Sequence, residues 1–138
     1  MEIKQISVFL ENTAGRLSKV TQTLANAGIN LRAISIADTA DFGILRLIAD
    51  KTNEAVCALN NAGFTTRLTD VAAVEIDDVP GSLARLMELF QISNVNIEYL
   101  YATLESQSKK AVIIFRLDDL EKGIQIIKDN GLTLVGNF

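Results

Sequence analysis

The 138-residue sequence contains no histidine and a single cysteine, Cys57, and these two absences exclude much catalytic chemistry. Without histidine there can be no Ser-His-Asp triad, no Cys-His pair and no histidine general base. One cysteine allows neither an intrachain disulfide nor a paired-cysteine metal or redox motif, so no metal or other cofactor is expected. An enzyme would have to rely on carboxylates, lysines and arginines alone, and we therefore favour a non-catalytic protein.

A basic charge and a long hydrophobic run are also lacking. Lys and Arg number 13 against 17 Asp and Glu, a net charge of −4, whereas nucleic-acid binding usually requires a basic patch. No apolar run approaches the ~20 residues of a membrane-spanning helix, and the first residues do not resemble a signal peptide. We expect a cytoplasmic protein that binds neither nucleic acid nor a membrane.

The most informative feature present is an internal repeat. The segment LENTAGRL at 10–17 aligns with IDDVPGSL at 76–83, an offset of 66 residues, and NAG at 61–63 aligns with DNG at 129–131, an offset of 68 residues. Both the apolar spacing and the glycine positions are retained, which is the signature of duplication. We predict two copies of one domain, 1–71 and 72–138, with almost no linker at 70–72.

Within each copy the hydrophobic period changes in the same order. Residues 6–10 alternate as in a strand, whereas apolar residues in 17–27 recur at helical spacing. Strand-like segments follow at 30–37 and 43–49, then a helix that Thr52 could cap, and then a last strand. The order βαββαβ, found twice, predicts an α+β protein of two tandem ferredoxin-like domains, each an antiparallel sheet with both helices on one face.

A short polar turn ending in glycine joins the first strand to the first helix of each copy, at 11–15 and 77–81. The N–H groups at a helix start attract anions, and glycine lets a ligand approach the backbone. Pro80 suits the first position of the helix. These residue types are also common in turns and helix caps, so composition alone favours a purely structural role.

Asn30, matched by Asn96 in the second copy, stands at the start of the second strand. We expect that start to lie beside the first loop. An amide there could accept a hydrogen bond from an ammonium group and donate one to a carboxylate. The loop and the amide together are compatible with a site for a small zwitterionic molecule, but these residues do not decide between such a site and a structural role.

The pattern E-N-x-x-G-x-L at 11–17, followed by A-G-I-N-L at 27–31, resembles the ACT-domain family, and the second copy repeats it at 78–83 and 95–97. The resemblance covers essentially the whole chain as two tandem ACT domains. It implies that a free amino acid or similar effector binds at an interface between ACT domains and regulates an associated enzyme or transcriptional response. The ligand-binding residues that it implies in the first copy are Leu10, Glu11, Asn12, Thr13, Ala14, Gly15, Arg16, Leu17, Ile29, Asn30 and Leu31. Their second-copy equivalents are Asp78, Pro80, Gly81, Ser82, Leu83 and Asn96.

In this arrangement the effector's carboxylate would meet the N–H groups of residues 14–17, with its ammonium near Asn12 and Asn30. Its side chain would point toward the seam between domains, beside Ile29 and Leu31. Asp78 stands where the first copy has Asn12, and its charge would repel a bound carboxylate. We therefore expect the first copy to bind the effector and the second copy mainly to supply partner surface.

Two small domains leave exposed sheet edges, which favours a homodimer, and regulation would require a separate enzyme or regulator as partner. Two other functions stay open at this point. One is a structural adaptor that binds a protein and no ligand. The other is an acylphosphatase-like hydrolase, in which Arg16 would hold the anion and a nearby asparagine would position water.

Overall fold

The computed structural model describes residues 3–38, 41–103 and 109–136, excluding the side chain of Asp38. The chain divides into two compact units. One unit is Lys4–Thr69, and the other is Asp70–Phe138 together with the chain's first three residues. In the described part of the chain, no helix is long and apolar enough to cross a membrane.

The order of elements is the predicted βαββαβ, twice, so the fold class is confirmed. The first six elements are β1 (Ile3–Glu11), α1 (Arg16–Asn26), β2 (Leu31–Asp38), β3 (Phe42–Ala49), α2 (Thr52–Asn61) and β4 (Thr65–Asp77). The remaining five are α3 (Ser82–Ile92), β5 (Ile97–Ala102), β6 (Lys110–Leu117), α4 (Leu120–Asp129) and β7 (Thr133–Leu134).

Strand β4 differs from the sequence prediction. It is one strand of 13 residues, so residues 70–72, which we expected to form a short linker, lie inside it. The last strand of the first repeat and the first strand of the second are therefore continuous. The local sequence explains this continuity. The segment 65–77 contains neither glycine nor proline and is rich in Thr and Val, a composition that favours an extended backbone.

Each unit has the strand order of a ferredoxin-like sheet. In the first unit the order is β2-β3-β1-β4, and in the second it is β5-β6-β4-β7. Strands β1 and β2 both run antiparallel to β3, so they run parallel to each other. This direction fixes which ends of the strands are neighbours, and it decides what surrounds the loop after β1.

One face of each sheet packs against the two helices of its unit. The first core joins alternate residues of β1 to α1 and α2 and includes Ile6, Val8, Leu10, Val20, Leu24 and Leu59. The second core includes Val74, Leu86, Phe90, Phe115 and Ile127, and the rings of Phe90 and Phe115 meet edge to face at 5.5 Å. Burial of these alternating and helically spaced residues is what the sequence periodicity predicted.

Two helices begin at residues other than those expected from the sequence. Thr52 lies inside α2, and the N-cap is Lys51, which makes no side-chain capping hydrogen bond. Pro80 precedes the N-cap of α3 rather than occupying the first helical position, because Gly81 is the N-cap, at φ +91°. A positive φ is readily adopted by glycine, so the glycine sets where the helix begins. The Asp119 side chain caps α4 by accepting a hydrogen bond from the Lys122 N–H at 3.1 Å.

Candidate functional site

The loop after β1 is held by its own backbone. The Asn12 N–H donates to the Asp41 carbonyl at 3.1 Å, and the Arg16 N–H donates to the Thr13 carbonyl at 3.4 Å. Gly15, at φ +87°, is the N-cap of α1. The turn therefore brings its polar residues onto the first turn of the helix.

The start of α1 is open to an anion. No side chain caps it, and α1, which is described throughout, has no acidic residue in its first turn. The first N–H groups of a helix have no partner within the helix, and they carry the positive end of its dipole. Because the Arg16 N–H is already bonded to Thr13, the N–H groups of Leu17 and Ser18 are the donors best placed to receive a carboxylate.

A cavity of about 320 Å³ adjoins this helix start within the first unit. Its floor is apolar and its rim is polar. Gly43 widens the floor, because a Cβ built there would lie 3.4 Å from the Ile36 Cδ1 and 3.7 Å from the Ala37 carbonyl oxygen. The residues that line the cavity are Leu10, Glu11, Asn12, Thr13, Arg16, Leu17, Ile36 and Gly43.

Arg16 supplies the positive charge in the cavity wall. Its guanidinium lies 4.9 Å from the centre of the Phe64 ring, a cation–π contact that positions the side chain. Its Nε is buried and has no hydrogen-bond acceptor among the residues that the structure describes. Such a buried donor usually has a partner in protein or water, and an oxyanion in the neighbouring cavity would supply one.

Six of the residues predicted for the first-copy site line this cavity, and Ala14 and Gly15 lie in the same turn. The other three lie elsewhere. Ile29 is buried in the first core and Leu31 packs against it, so neither of them lines the cavity. Asn30 is held at the far end of the sheet, where its N–H donates to the Asp50 carboxylate at 3.0 Å.

The expectation that the start of β2 lies beside the loop is therefore wrong within this unit, and strand direction explains why. Because β1 and β2 run parallel, the end of β2 is the neighbour of the loop. Both Leu10 and Asp38 pair with Gly43, whereas Leu31 pairs with Ala49, six residues along β3. At ~3.3 Å per residue this separation is about 20 Å.

The sequence analysis missed two residues of the cavity, Ile36 and Gly43. Two signals could have found them. The ferredoxin-like strand order makes β1 and β2 parallel, which places the end of β2 beside the loop. In addition, a glycine inside a strand often marks a position where another group must approach closely.

The second unit repeats the backbone of the loop with different surroundings. The Asp78 N–H donates to the Lys109 carbonyl at 2.9 Å, and the Asn96 N–H donates to the Asp118 carboxylate at 2.9 Å, so Asn96 is placed like Asn30. Pro80 and Leu83 are exposed, and Gly81 has a positive φ. By sequence alignment, Ala102 stands at the position of Ile36 and Ala111 at that of Gly43.

Cys57 is exposed, and no group of three His, Cys, Asp or Glu side chains in the described ranges could hold a metal ion. The cavity at the loop after β1 is the candidate functional site because it adjoins an uncapped helix start and contains Arg16 in its wall.

Comparison with known proteins identifies the class. The sequence model of the ACT domain pair family matches residues 1–137, and the chain therefore belongs to this family. The solved structure of protein BT0572 from Bacteroides thetaiotaomicron is similar to it, with 38% identity over 98% of this chain and 92% of that one, at a TM-score of 0.92.

Two further structures share the fold. The regulatory subunit of aspartate kinase from Thermus thermophilus, in a ligand-free form, is 22% identical over 91% of each chain, at a TM-score of 0.68. The corresponding subunit from Thermus flavus is 21% identical over 91% of this chain and 90% of that one, at a TM-score of 0.63. No curated protein is similar enough to the chain to count as a match.

Proposed function

We propose that this protein is a non-catalytic, cytoplasmic sensor that binds a free amino acid in the cavity of its first unit and regulates a separate enzyme or regulator. The observation that carries the proposal is the position of that cavity, between an uncapped helix start and Arg16, whose buried Nε has no acceptor among the described residues. Membership of the ACT domain pair family supports a regulatory role.

Each part of an amino acid has a complementary group in the cavity. The carboxylate accepts from the N–H groups of Leu17 and Ser18 and from Arg16, where the helix dipole adds to the attraction. The ammonium donates to the Glu11 carboxylate or the Asn12 amide oxygen at the rim. One end of the site thus favours an anion and the other a cation, which matches a zwitterion.

The floor of the cavity favours an aliphatic side chain. It is formed by Leu10, Leu17 and Ile36, with Gly43 leaving space between strands. A charged side chain would lose its hydration on this floor without gaining a partner. The volume of about 320 Å³ lies at the lower end of the range of small-molecule sites. We therefore propose an amino acid such as valine, isoleucine or leucine rather than lysine or aspartate.

Thermal unfolding of the whole chain against each of the common amino acids at millimolar concentration tests this proposal. A ligand at about 100 times its dissociation constant adds about 2.7 kcal/mol to the free energy of unfolding, a shift of several degrees for a chain of this size. We expect a selective response to one or two aliphatic amino acids. A flat panel would contradict the proposal and favour the adaptor function.

The repeat supplies a matched control for this measurement. Gly43→Val fills the cavity floor and Arg16→Gln removes the cation that faces the carboxylate, and both should weaken the response. An attraction between opposite charges ~5 Å apart is worth about 1–3 kcal/mol, or roughly 5- to 150-fold in affinity. Ala111→Val, the change in the second copy that corresponds to Gly43→Val, should leave the response unchanged. An Arg16→Gln variant that binds as tightly as the wild type would refute the assignment.

A second copy of the chain is proposed to cover the open side of the cavity. Leu17 and Ile36 are 39% and 54% exposed, and both line the cavity. Clustered exposed apolar side chains commonly mark an interface. Ile36→Ser should therefore convert a dimer to a monomer in sedimentation experiments and weaken effector binding. Ile92→Ser, at a position that is 74% exposed, should do neither, and a wild-type protein that is monomeric would exclude this arrangement.

A further inference from the structure

The sequence contains ten asparagines, and only Asn130 is followed by glycine. An asparagine side chain can cyclise onto the backbone nitrogen of the next residue, and a following glycine leaves that nitrogen accessible because it has no Cβ. Asn130 and Gly131 are both exposed, so water reaches the pair. They lie in the turn between α4 and β7, outside the candidate site. This pair is therefore the place where the chain is most susceptible to loss of a side-chain amide.

Deamidation of this pair needs water and no other reagent. The Gly131 nitrogen gives up its proton and bonds to the Asn130 Cγ, and the Cγ–Nδ2 bond breaks to release ammonia. Water then opens the resulting succinimide at either carbonyl, which leaves aspartate or isoaspartate at residue 130. Both products replace a neutral amide by a carboxylate, and isoaspartate also adds a methylene group to the main chain.

The folded chain opposes this reaction in three ways. Asn130 is the C-cap of α4, and its Nδ2 donates to the Ile126 carbonyl at 2.8 Å. The Gly131 N–H donates to the Lys128 carbonyl at 3.1 Å, which holds the proton on the attacking nitrogen. At an Asn130 ψ of 12° that nitrogen nearly eclipses the Asn130 backbone nitrogen, whereas ring closure requires it to eclipse the Cβ. Cyclisation therefore requires the end of α4 to open.

The last turn of α4 is held closed by a Schellman motif. Besides the Gly131 hydrogen bond, the Leu132 N–H donates to the Ile127 carbonyl at 3.1 Å. The Leu132 side chain packs against the second core, which contains Ile127, and a contact of this kind commonly accompanies the motif. The first copy has the same two backbone bonds at the end of α2, with Ala62 in place of Asn130. Only the second copy therefore carries the reactive amide in this turn.

We propose that Asn130 is a site of spontaneous deamidation whose rate is set by local opening of the end of α4. Such openings need less free energy than unfolding of the core, and each one releases the Gly131 N–H and the Asn130 side chain together. The products do not restore the cap, because a carboxylate cannot donate to the Ile126 carbonyl and its charge is unfavourable at a helix C-terminus. Modification therefore leaves the second unit less stable. This proposal does not depend on the proposed effector site.

Incubation of the whole chain at mildly alkaline pH in a series of urea concentrations, followed by chromatographic and mass-spectrometric peptide analysis, tests the proposal. We expect aspartate and isoaspartate at residue 130, formed at least about tenfold faster above the unfolding midpoint than in the folded protein. Below the midpoint the rate should rise only weakly with urea, because a local opening exposes little surface. A rate that follows the global m-value, equal rates in the two states, or no conversion at Asn130 in the unfolded chain would each overturn the proposal.

Three variants connect the conversion to the cap. Asn130→Ala introduces the first-copy residue and should abolish the signal. Leu132→Ala removes the packing contact of the motif and should raise the rate in the folded protein while leaving the rate in the unfolded chain unchanged. Ile92→Ala, at an exposed position on α3, should change neither rate. An unchanged rate in a folded Leu132→Ala variant would refute the role of the cap, and the urea series of the wild type decides the matter if this variant does not fold.

Discussion

Replacing Gly123 by alanine should destabilise the protein, although alanine is ordinarily the better helix residue. Gly123 is buried in α4, and a Cβ built there would overlap the Leu117 Cδ1 and lie 3.7 Å from the Phe90 Cε1. Leu117 is fully buried, so its side chain could turn away only by displacing its neighbours in the core. At the same two positions the first copy has Ala55 and Ala49, so its alanine on the helix is accompanied by a small residue on the strand.

Two opposing contributions determine how much Gly123→Ala changes the free energy of unfolding. Alanine in place of a helical glycine contributes about 1 kcal/mol of stability, whereas forcing an extra methyl group into a packed core costs about 1–3 kcal/mol. We expect Gly123→Ala to lower the free energy of unfolding by about 1 kcal/mol. Leu117→Ala alone should cost about 2–5 kcal/mol because it leaves a cavity.

The double variant should be less destabilised than the sum of the two single variants. Removing Leu117 abolishes the overlap, and the new methyl group at residue 123 occupies part of the cavity. The favourable coupling should be about 1–3 kcal/mol, in the range measured for contacting residues. The double variant has the same alanine pair as the first copy. It therefore also tests whether the second unit tolerates the packing that the first unit has at these positions.

Urea unfolding followed by circular dichroism measures these quantities, with equal m-values among variants as the condition for comparing them. Ala55→Gly in the first copy serves as the reference for helix propensity and should cost at least about 1 kcal/mol. Two results would refute the reasoning. One is a Gly123→Ala variant more stable than the wild type, and the other is additivity of the two changes to within ~0.5 kcal/mol.

Two further predictions concern polar contacts. Asp119→Ala should lower the free energy of unfolding by about 0.5–2 kcal/mol, because the Asp119 side chain accepts a hydrogen bond from the Lys122 N–H at the start of α4. Lys51→Ala is the control, because Lys51 is an N-cap that makes no side-chain capping hydrogen bond. It should have almost no effect in the same urea experiment. The hydrogen bond and charge of Asp77 raise the pKa of Lys110, so the attraction is present at neutral pH and lost as the pH rises through that pKa. Asp77→Asn should lower the Lys110 pKa measured by NMR titration, and an unchanged value would exclude the pair in solution.

The fold was predictable because its signals are local and occur twice. The alternation in β1 and the helical spacing in α1 each specify one element, and the aligned glycines specify where the elements turn. Gly28 and Gly63 follow the ends of α1 and α2 with positive φ, as residues after a helix commonly do. The repeat then excludes alternative topologies, since any assignment has to hold in both copies.

The candidate site was predictable only in its contiguous part. Residues 10–17 could be found from one segment of sequence, whereas Ile36 and Gly43 enter the cavity through strand direction and register. Asn30 was misplaced for the same reason, because a motif gives the spacing along the chain but not the end of the sheet at which a residue lies. Arg16, which we considered as an anion clamp of a hydrolase, contacts the Phe64 ring, and that contact depends on two residues 48 positions apart in the sequence.

The differences between the two repeats predict that the preference for the proposed ligand depends on residues outside the loop at 11–15. Both loops have a glycine N-cap in the same conformation, and each makes the same backbone hydrogen bonds at its two ends. The loop backbone therefore supplies the same helix start in each copy and cannot by itself distinguish one ligand from another. The differences lie in side chains contributed by neighbouring elements, such as Gly43 against Ala111 and Arg16 against Ser82. Exchanging these neighbours between the copies, with both loops unchanged, should therefore transfer the ligand preference, whereas exchanging the loop backbones should not.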